Sequence, residues 1–281
     1  MSDPSLSRLL VSLICACALG CGQVHGQAHG QAYGQAHMQA HGQTLSDNKT
    51  VANQPGQPTH ELHLARLIYE HGPQSNWGPG RAWWRIDWPE AEAHFLSAVD
   101  RYTRAHVAND SVHVTLLDDA LFEHPWLFAQ QPGRWSLSDV ETARLGEYLR
   151  RGGFLVVDDF HGPNDWSVFE STLARALPGQ PIVELGADDV LDVLYDTDSR
   201  TQIPGRRHLV SDSSGTRANM PFGPPRWRGI RDDRGRVVVA INFNMDMGDA
   251  WEHADDPAYP MPMTSFAYRV GINYLMYAMT H

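Results

Sequence analysis

Arg-Gly-Gly-Phe-Leu-Val-Val-Asp-Asp-Phe-His-Gly, the stretch from Arg151 to Gly162, carries the clearest fold signal in this 281-residue chain. An amphipathic helical pattern begins at Ser138 and ends at the Gly pair, and glycine commonly follows the last turn of a helix. The continuous apolar run 154–157 has no polar face, which predicts a strand buried on both sides of a parallel sheet. Two aspartates, a histidine and a glycine come next, at the strand end where open α/β sheets bind ligands.

Strand and helix patterns alternate along the rest of the chain. Strands are predicted at 62–69, 112–117, 126–129, 154–157, 181–185 and 237–243, and helices after a capping Asp87 and at 138–151, 166–177 and 263–279. This alternation predicts one α/β domain over residues 60–281, a three-layer sandwich with a mostly parallel sheet between two layers of helices. The Gly- and Pro-containing stretch 196–236 is predicted to be an extended insertion over the edge of the sheet.

The first 21 residues have the pattern of a signal peptide. An apolar run from Leu9 to Cys21 follows Arg8 and is too short to span a bilayer as a helix. Residues 18–21 read Ala-Leu-Gly-Cys and resemble a bacterial lipobox with Cys21 as the lipidated residue. We therefore expect an exported protein, either periplasmic or a membrane-anchored lipoprotein. Ordinary cleavage a few residues later remains the alternative to lipidation.

Residues 22–59 form a linker rich in His, Gln and Gly. A four-residue unit of the Gly-Gln-Ala-His kind recurs in it, and frequent glycine together with few apolar groups predicts a disordered tether. A His-rich tract can bind Zn²⁺, Ni²⁺ or Cu²⁺ weakly, but the repeat favours a tandem spacer with no metal role.

Cysteine usage and net charge exclude several functions. The three cysteines are Cys15, Cys17 and Cys21, so the predicted domain has no disulfide, no thiolate metal site and no cysteine nucleophile. The formal net charge of −11 argues against nonspecific nucleic-acid binding, which needs a basic face. The partner expected is a protein or a small ligand at the cell envelope, and contact with the membrane is expected only through a lipid on Cys21.

Polar side chains follow two of the predicted strands, and we consider both groups candidate sites. The ligand-binding candidates are Asp158, Asp159, His161, Asn244, Asp246, Asp249, Trp251 and His253, together with Arg200 in the insertion. Since strand ends meet at one edge of a parallel sheet, Asp159, His161, Asp246 and His253 are predicted to share a crevice. Oxygen ligands with histidine favour a divalent metal as the cofactor, although the spacing matches no EF-hand loop.

A structural role for the same groups stays open. Asp158 and Asp159 could cap the next helix, and the acids after the last predicted strand could pair with Arg200, Arg226 or Arg228. Adjacent aspartates on a continuing strand point to opposite faces, so only one of the two is expected to face the crevice.

The order of the segments resembles the bacterial family 4159 of domains of unknown function. The resemblance rests on residues 62–69, on His-Pro-Trp-Leu-Phe-Ala at 124–129, on 151–162, on Tyr195-Asp196, and on 242–244 followed by Asp246. The resemblance covers residues 61–281 and implies a flavodoxin-like sandwich similar to class I glutamine amidotransferase-like domains. Members of the resembled family are usually exported or membrane-attached, and the family has no established reaction. The turn that carries the amidotransferase nucleophile corresponds here to residues 158–162, which contain neither Cys nor Ser, so glutaminase activity is not expected.

Two functional hypotheses follow from these observations. The first is a non-catalytic ligand-binding or scaffold domain of the amidotransferase-like class. The second is a divalent-metal-assisted hydrolase that uses acids at the carboxyl edge of the sheet. Convergence of three or more oxygen or nitrogen ligands on one point would favour the second.

The linker analysis leads to a stability prediction. Removing residues 1–59 should leave the melting temperature of the domain unchanged, because a polar repeat with few apolar groups has little to pack against it. Thermal unfolding of the full-length and shortened proteins measures this, and a large loss of stability on truncation would refute the tether.

If Cys21 is lipidated, Cys21→Ala should release the protein from the membrane fraction.

Overall fold

A computed structural model describes residues 62–72, 82–186, 190–197, 201–213 and 215–281. The predictions made for the signal peptide, the linker and Arg200 lie outside the described residues. No helix within these ranges is long and apolar enough to cross a membrane.

A seven-stranded sheet with the order β2-β1-β3-β4-β9-β8-β5 organises the domain, and β6 and β7 form a separate two-stranded sheet. The strands are β1 (Ala65–Ile68), β2 (Val112–Thr115), β3 (Trp126–Gln130), β4 (Phe154–Phe160), β5 (Ile182–Glu184), β6 (Leu209–Asp212), β7 (Gly215–Ala218), β8 (Arg226–Arg231) and β9 (Val237–Phe243). The pairs β1–β2, β1–β3, β3–β4 and β4–β9 are parallel, whereas β8 runs antiparallel to both β9 and β5. The mixed α/β class and the mostly parallel sheet are thus confirmed.

The helices cover both faces of the sheet. They are α1 (Glu90–Tyr102), α2 (Asp139–Arg150), α3 (Gly162–Ala176), α4 (Met247–Glu252) and α5 (Met261–Thr280), and short 3₁₀ helices lie at Trp83–Arg85, Asp119–Glu123, Pro132–Arg134, Val190–Asp192 and Arg206–His208. Helix α2 begins as its sequence predicts, because Ser138 and Glu141 form a reciprocal capping box.

Strand β4 separates two hydrophobic clusters. Phe154 and Val156 pack on one face with apolar residues of α1, α4 and α5, and Leu155 and Val157 pack on the other with residues of α2 and α3. All seven residues of β4 are buried, as are all seven of β9. Burial on both faces explains the continuous apolar run, since a strand in this position has no side facing water.

Two sequence predictions need correction here. The strand predicted at 154–157 continues to Phe160, so Asp158 and Asp159 lie within the strand, with an irregular register between Val157 and Phe160. The stretch predicted to be an insertion contains β8, an internal strand of the sheet between β9 and β5. Only one face of β8 is well buried along the length of the strand. Because β8 carries three arginines, its sequence has no continuous apolar run.

Val156→Asp should lower the free energy of unfolding by several kcal/mol, because it places an unpaired charge in the fully buried centre of the sheet. The matched control is Val140→Asp, the same change at a 64% exposed position in the first turn of α2, where an acid interacts favourably with the helix dipole. Chemical denaturation of both variants tests this, and similar stabilities would contradict the placement of β4.

Candidate metal centre

Asp159, His161 and Asp246 meet at the carboxyl edge of the sheet. Each offers a ligand atom, these atoms lie within 4.8 Å of one another, and all three side chains are buried. Asp159 and His161 come from the end of β4 and the residues after it, and Asp246 follows β9. Parallel pairing of β4 with β9 brings the two segments together, which is the convergence that the sequence predicts for these three residues.

Asp159 contacts three polar side chains around this triad. One of its carboxylate oxygens, Oδ1, lies 3.0 Å from His161 Nε2 and 3.8 Å from Arg207 Nη2. The other oxygen accepts a hydrogen bond from the side-chain amide of Gln131, the residue that follows β3. Among these neighbours only Arg207 carries a permanent positive charge, and its side chain is 58% exposed.

Additional carboxylates crowd the same edge. Asp87 and Asp249 form a second group with Asp246 in which ligand atoms again lie within 4.8 Å of one another. Burial raises the pKa of Asp246 well above its usual range, and the charges of Asp159 and Asp249 raise that pKa further. Burial also raises the pKa of Asp87 well above its usual range, and the charge of Asp249 is the next largest cause. The negative charge at this edge is therefore poorly compensated by the described side chains.

Asp158 is not a member of this triad and has a structural role. Its Oδ2 accepts hydrogen bonds from the backbone N–H groups of Met247 at 2.6 Å and Gly248 at 2.9 Å, the first two residues of α4. Burial raises the pKa of Asp158 to about 7, although the two backbone hydrogen bonds lower it. As predicted, only one of the two adjacent acids belongs to the candidate site. Asp158 binds the first turn of α4, whose N-cap residue is Asp246, and not the helix that follows β4 in the chain.

The backbone itself is unusual around the centre. Asp87, Gln131, Asp159 and Asn244 have positive φ angles of 65°, 52°, 52° and 60°. Residues other than glycine seldom adopt this left-handed conformation, and such residues concentrate at functional sites, where the surrounding structure holds them in place. All four lie in segments that meet at the carboxyl edge of the sheet.

Gly205 approaches the carboxylates directly. A Cβ atom at this position would lie 2.7 Å from Asp246 Oδ2, 3.1 Å from Asp249 Oδ2 and 3.5 Å from His208 Nδ1. The Gly205 segment is anchored there, because the Asp246 N–H donates to Ile203 O at 2.9 Å. A side chain at position 205 would therefore fill the space between these ligand atoms.

The other predicted site residues have different surroundings. His253 groups with Asp249 and Glu252 and is not part of the Asp159–His161–Asp246 group. Asn244 accepts a hydrogen bond from the Gly162 N–H at 3.0 Å and donates to the backbone of the segment before β8, so it connects two loops. Trp251 is fully buried and stacks on Phe95 with ring centroids 4.3 Å apart, which makes it a core residue. The arginines proposed as partners of the acids, Arg226 and Arg228, pair with Glu184 instead.

Sequence reasoning missed Asp87, Gln130, Gln131 and Arg207 as site residues. Asp87 was predicted to cap α1, but Pro89 occupies the N-cap position and the Asp87 carboxylate instead accepts from the side-chain amide of Gln130. Two glutamines directly after the strand predicted at 126–129 are a signal that could have identified Gln130 and Gln131. Arg207 follows no predicted strand, and only the tertiary structure places it near Asp159.

A buried ion pair positions the segment that carries Asp87. Arg66 of β1 contacts Glu92 of α1, and its Nη1 donates to the backbone oxygens of Trp84 at 2.8 Å and Ile86 at 3.0 Å. Arg66 is fully buried, so these contacts replace the water that its charge would otherwise require. The loop before α1 is thereby attached to the sheet next to the candidate site.

The fold and this edge define the class of the protein: an α/β domain with a mostly parallel sheet and a buried carboxylate–histidine centre where the parallel strands end. The family model described as Domain of unknown function (DUF4159) matches residues 63–279, and the chain belongs to this family. No curated protein matches the sequence.

Asp158→Ala should destabilise the domain by about 2–5 kcal/mol, because it leaves two buried backbone N–H groups without an acceptor. Asp158→Asn keeps an acceptor oxygen and removes a buried charge, so it should lose clearly less stability. Chemical denaturation of both variants at neutral pH measures the difference. Equal losses in the two variants would show that the hydrogen bonds to α4 do not account for the role of Asp158.

Proposed function

We propose that this domain binds a divalent cation through Asp159, His161 and Asp246 and uses it to hold a ligand at the cell envelope. The observation that carries the proposal is the convergence of these three ligand atoms within 4.8 Å in a buried, acidic environment. Asp87 and Asp249 form a neighbouring group that shares Asp246 with the first.

Electrostatics supports a cation at this position. Buried carboxylates that lack partners of opposite charge either take up protons or bind a metal ion. Burial, and after it repulsion from neighbouring carboxylates, raises the pKa values of Asp87 and Asp246. Oxygen ligands together with one imidazole suit Mg²⁺, Mn²⁺ or Ca²⁺ better than structural zinc, which favours closed sites of Cys and His.

The finer fold assignment is part of this proposal. The order β2-β1-β3-β4-β9 matches the 2-1-3-4-5 strand order of flavodoxin-like domains, with β9 as the fifth strand. This match supports a flavodoxin-like, amidotransferase-like sandwich to which the antiparallel strands β8 and β5 are added. Export as a periplasmic protein or a lipoprotein anchored through Cys21 is proposed on the pattern of residues 1–21.

Metal-assisted hydrolysis is the second candidate function, and the convergence of Asp159, His161 and Asp246 supports it as well. A cavity of about 820 Å³ borders His161, so a molecule bound there would lie beside the proposed cation. A divalent cation in such a site polarises a substrate oxygen or activates water. The same cavity serves a non-catalytic ligand-binding domain, and turnover of a bound molecule distinguishes the two.

Calorimetric titration of the protein with Mg²⁺, Ca²⁺, Mn²⁺ and Zn²⁺ tests the proposal. We expect one of these ions to bind to the unmodified protein. The variant Asp246→Asn should not bind it, and the melting temperature of this variant should equal or exceed that of the unmodified protein. The variant removes a negative ligand and also relieves repulsion in the metal-free protein.

The matched control is Asp255→Asn, the same chemical change at an exposed residue that belongs to neither group of candidate ligands. This variant should bind the metal as the unmodified protein does. Absence of binding by the unmodified protein at millimolar concentrations of all four ions would refute the cation site.

A further inference from the structure

The cavity beside His161 has a chemical character opposite to that of the carboxylate centre. It spans about 820 Å³ and lies at the carboxyl ends of β1, β3 and β4, where its wall includes Gln131, Arg134, His161, Asp165, Arg207 and His208. Two arginines and two histidines therefore face one carboxylate in the wall of this cavity. In a chain with a net charge of −11, such a local excess of basic groups is a specific feature.

Three buried nitrogen atoms around the cavity have no hydrogen-bond partner in the part of the chain that the structure describes. His161 is only 7% exposed, its Nε2 contacts Asp159, and its Nδ1 has no hydrogen-bond partner among the described residues. The same holds within the described ranges for Arg134 Nε and His208 Nδ1. Buried polar atoms are usually paired in folded proteins, so these three nitrogens, on side chains that line the cavity, are available to hydrogen-bond a polar ligand there.

The arginines are only partly neutralised. Arg134 Nη2 lies 3.6 Å from Asp165 Oδ1, a distance longer than a hydrogen bond. The other oxygen of this carboxylate, Asp165 Oδ2, accepts a hydrogen bond from the backbone N–H of His161 at 3.2 Å. Arg207 lies 3.8 Å from Asp159 at the boundary between the cavity and the carboxylate centre. Each guanidinium thus keeps donors for an anionic group, and arginine binds phosphate and carboxylate with paired hydrogen bonds.

Helix α3 adds a favourable field. Its first turn, from Gly162 to Asp165, lines the cavity, and the N-terminal end of a helix dipole attracts anions. The Gly162 N–H already donates to Asn244 and Pro163 has no N–H, so the helix contributes its dipole more than hydrogen-bond donors. The direct contacts are left to the arginine and histidine side chains.

We propose that this cavity binds a small molecule through an oxyanion group, phosphate or carboxylate, held by Arg134 and Arg207 next to the cation site. This inference deepens the proposed function, since it names the ligand class that the bound cation would meet. Arg207 connects the two sites, because it stands between the Asp159 carboxylate and the cavity. A metal ion bound to Asp159 would take the place of Arg207 beside that carboxylate. The Arg207 guanidinium would then be available to bind the anion.

The test uses the full-length protein, with Mn²⁺, inorganic phosphate and acetate as probes. Calorimetry measures Mn²⁺ binding first and then the binding of each anion to the Mn²⁺-loaded and metal-free proteins. With protein in excess over Mn²⁺, the ³¹P relaxation rate of phosphate reports whether the anion lies next to the bound ion. We expect phosphate, acetate or both to bind, and the preferred anion identifies the group.

Arg207→Gln and Arg134→Gln should each weaken anion binding by about tenfold or more, because each removes a charged donor from the anion. Arg207→Gln should not weaken Mn²⁺ binding, since it removes a positive charge near Asp159. The control is Arg217→Gln on β7, which is 61% exposed and does not line the cavity, and it should behave like the unmodified protein.

The two proposals fail in different ways. Mn²⁺ binding without any anion binding at millimolar concentrations would overturn the oxyanion site and leave the cation site standing. Anion binding that Arg134→Gln and Arg207→Gln leave unchanged would overturn it as well. Anion binding that depends on both arginines, in a protein that binds no Mn²⁺, would support the cavity and refute the cation site.

Discussion

The hydrogen bonds that Asp158 accepts from Met247 and Gly248 determine the geometry of the candidate site. They attach the N-terminus of α4 to the end of β4, although the two segments are about ninety residues apart in the chain. The residue just before α4 is Asp246, which therefore lies opposite Asp159, the neighbour of Asp158 on the strand. One buried carboxylate thus organises the centre without being one of the three proposed metal ligands.

This arrangement gathers negative charge that the fold does not neutralise. Asp87, Asp159, Asp246 and Asp249 approach one another from three segments, and Arg207 is the nearest cationic side chain found for Asp159. Proteins usually avoid buried like charges because the cost falls directly on stability. A site that keeps them, together with four residues in left-handed backbone conformations, is better explained by a ligand than by the needs of folding.

The cation centre and the basic cavity are complementary. A carboxylate-rich centre repels anions, so an anionic ligand can approach it only where positive groups and a bound cation offset that charge. Arg134, Arg207 and the start of α3 provide such groups on the side where the cavity lies. Two oppositely charged subsites joined at His161 and Arg207 would orient a ligand in one direction, whether or not it then reacts.

The sequence alone determined the α/β class, the buried central strand and the meeting of Asp159, His161 and Asp246, because an apolar run and the polar residues after it report burial and strand ends directly. It also predicted that His253 would join these three, whereas His253 follows α4 and groups with Asp249 and Glu252. It did not predict β8, whose arginines and single well-buried face obscure the strand signal. Nor did it identify Asp87 or Arg207, which reach the site through loops held by Arg66 and by the segment around Gly205. Local patterns encode secondary structure and burial, whereas the position of a loop depends on contacts between residues far apart in the chain, which only the tertiary structure decides.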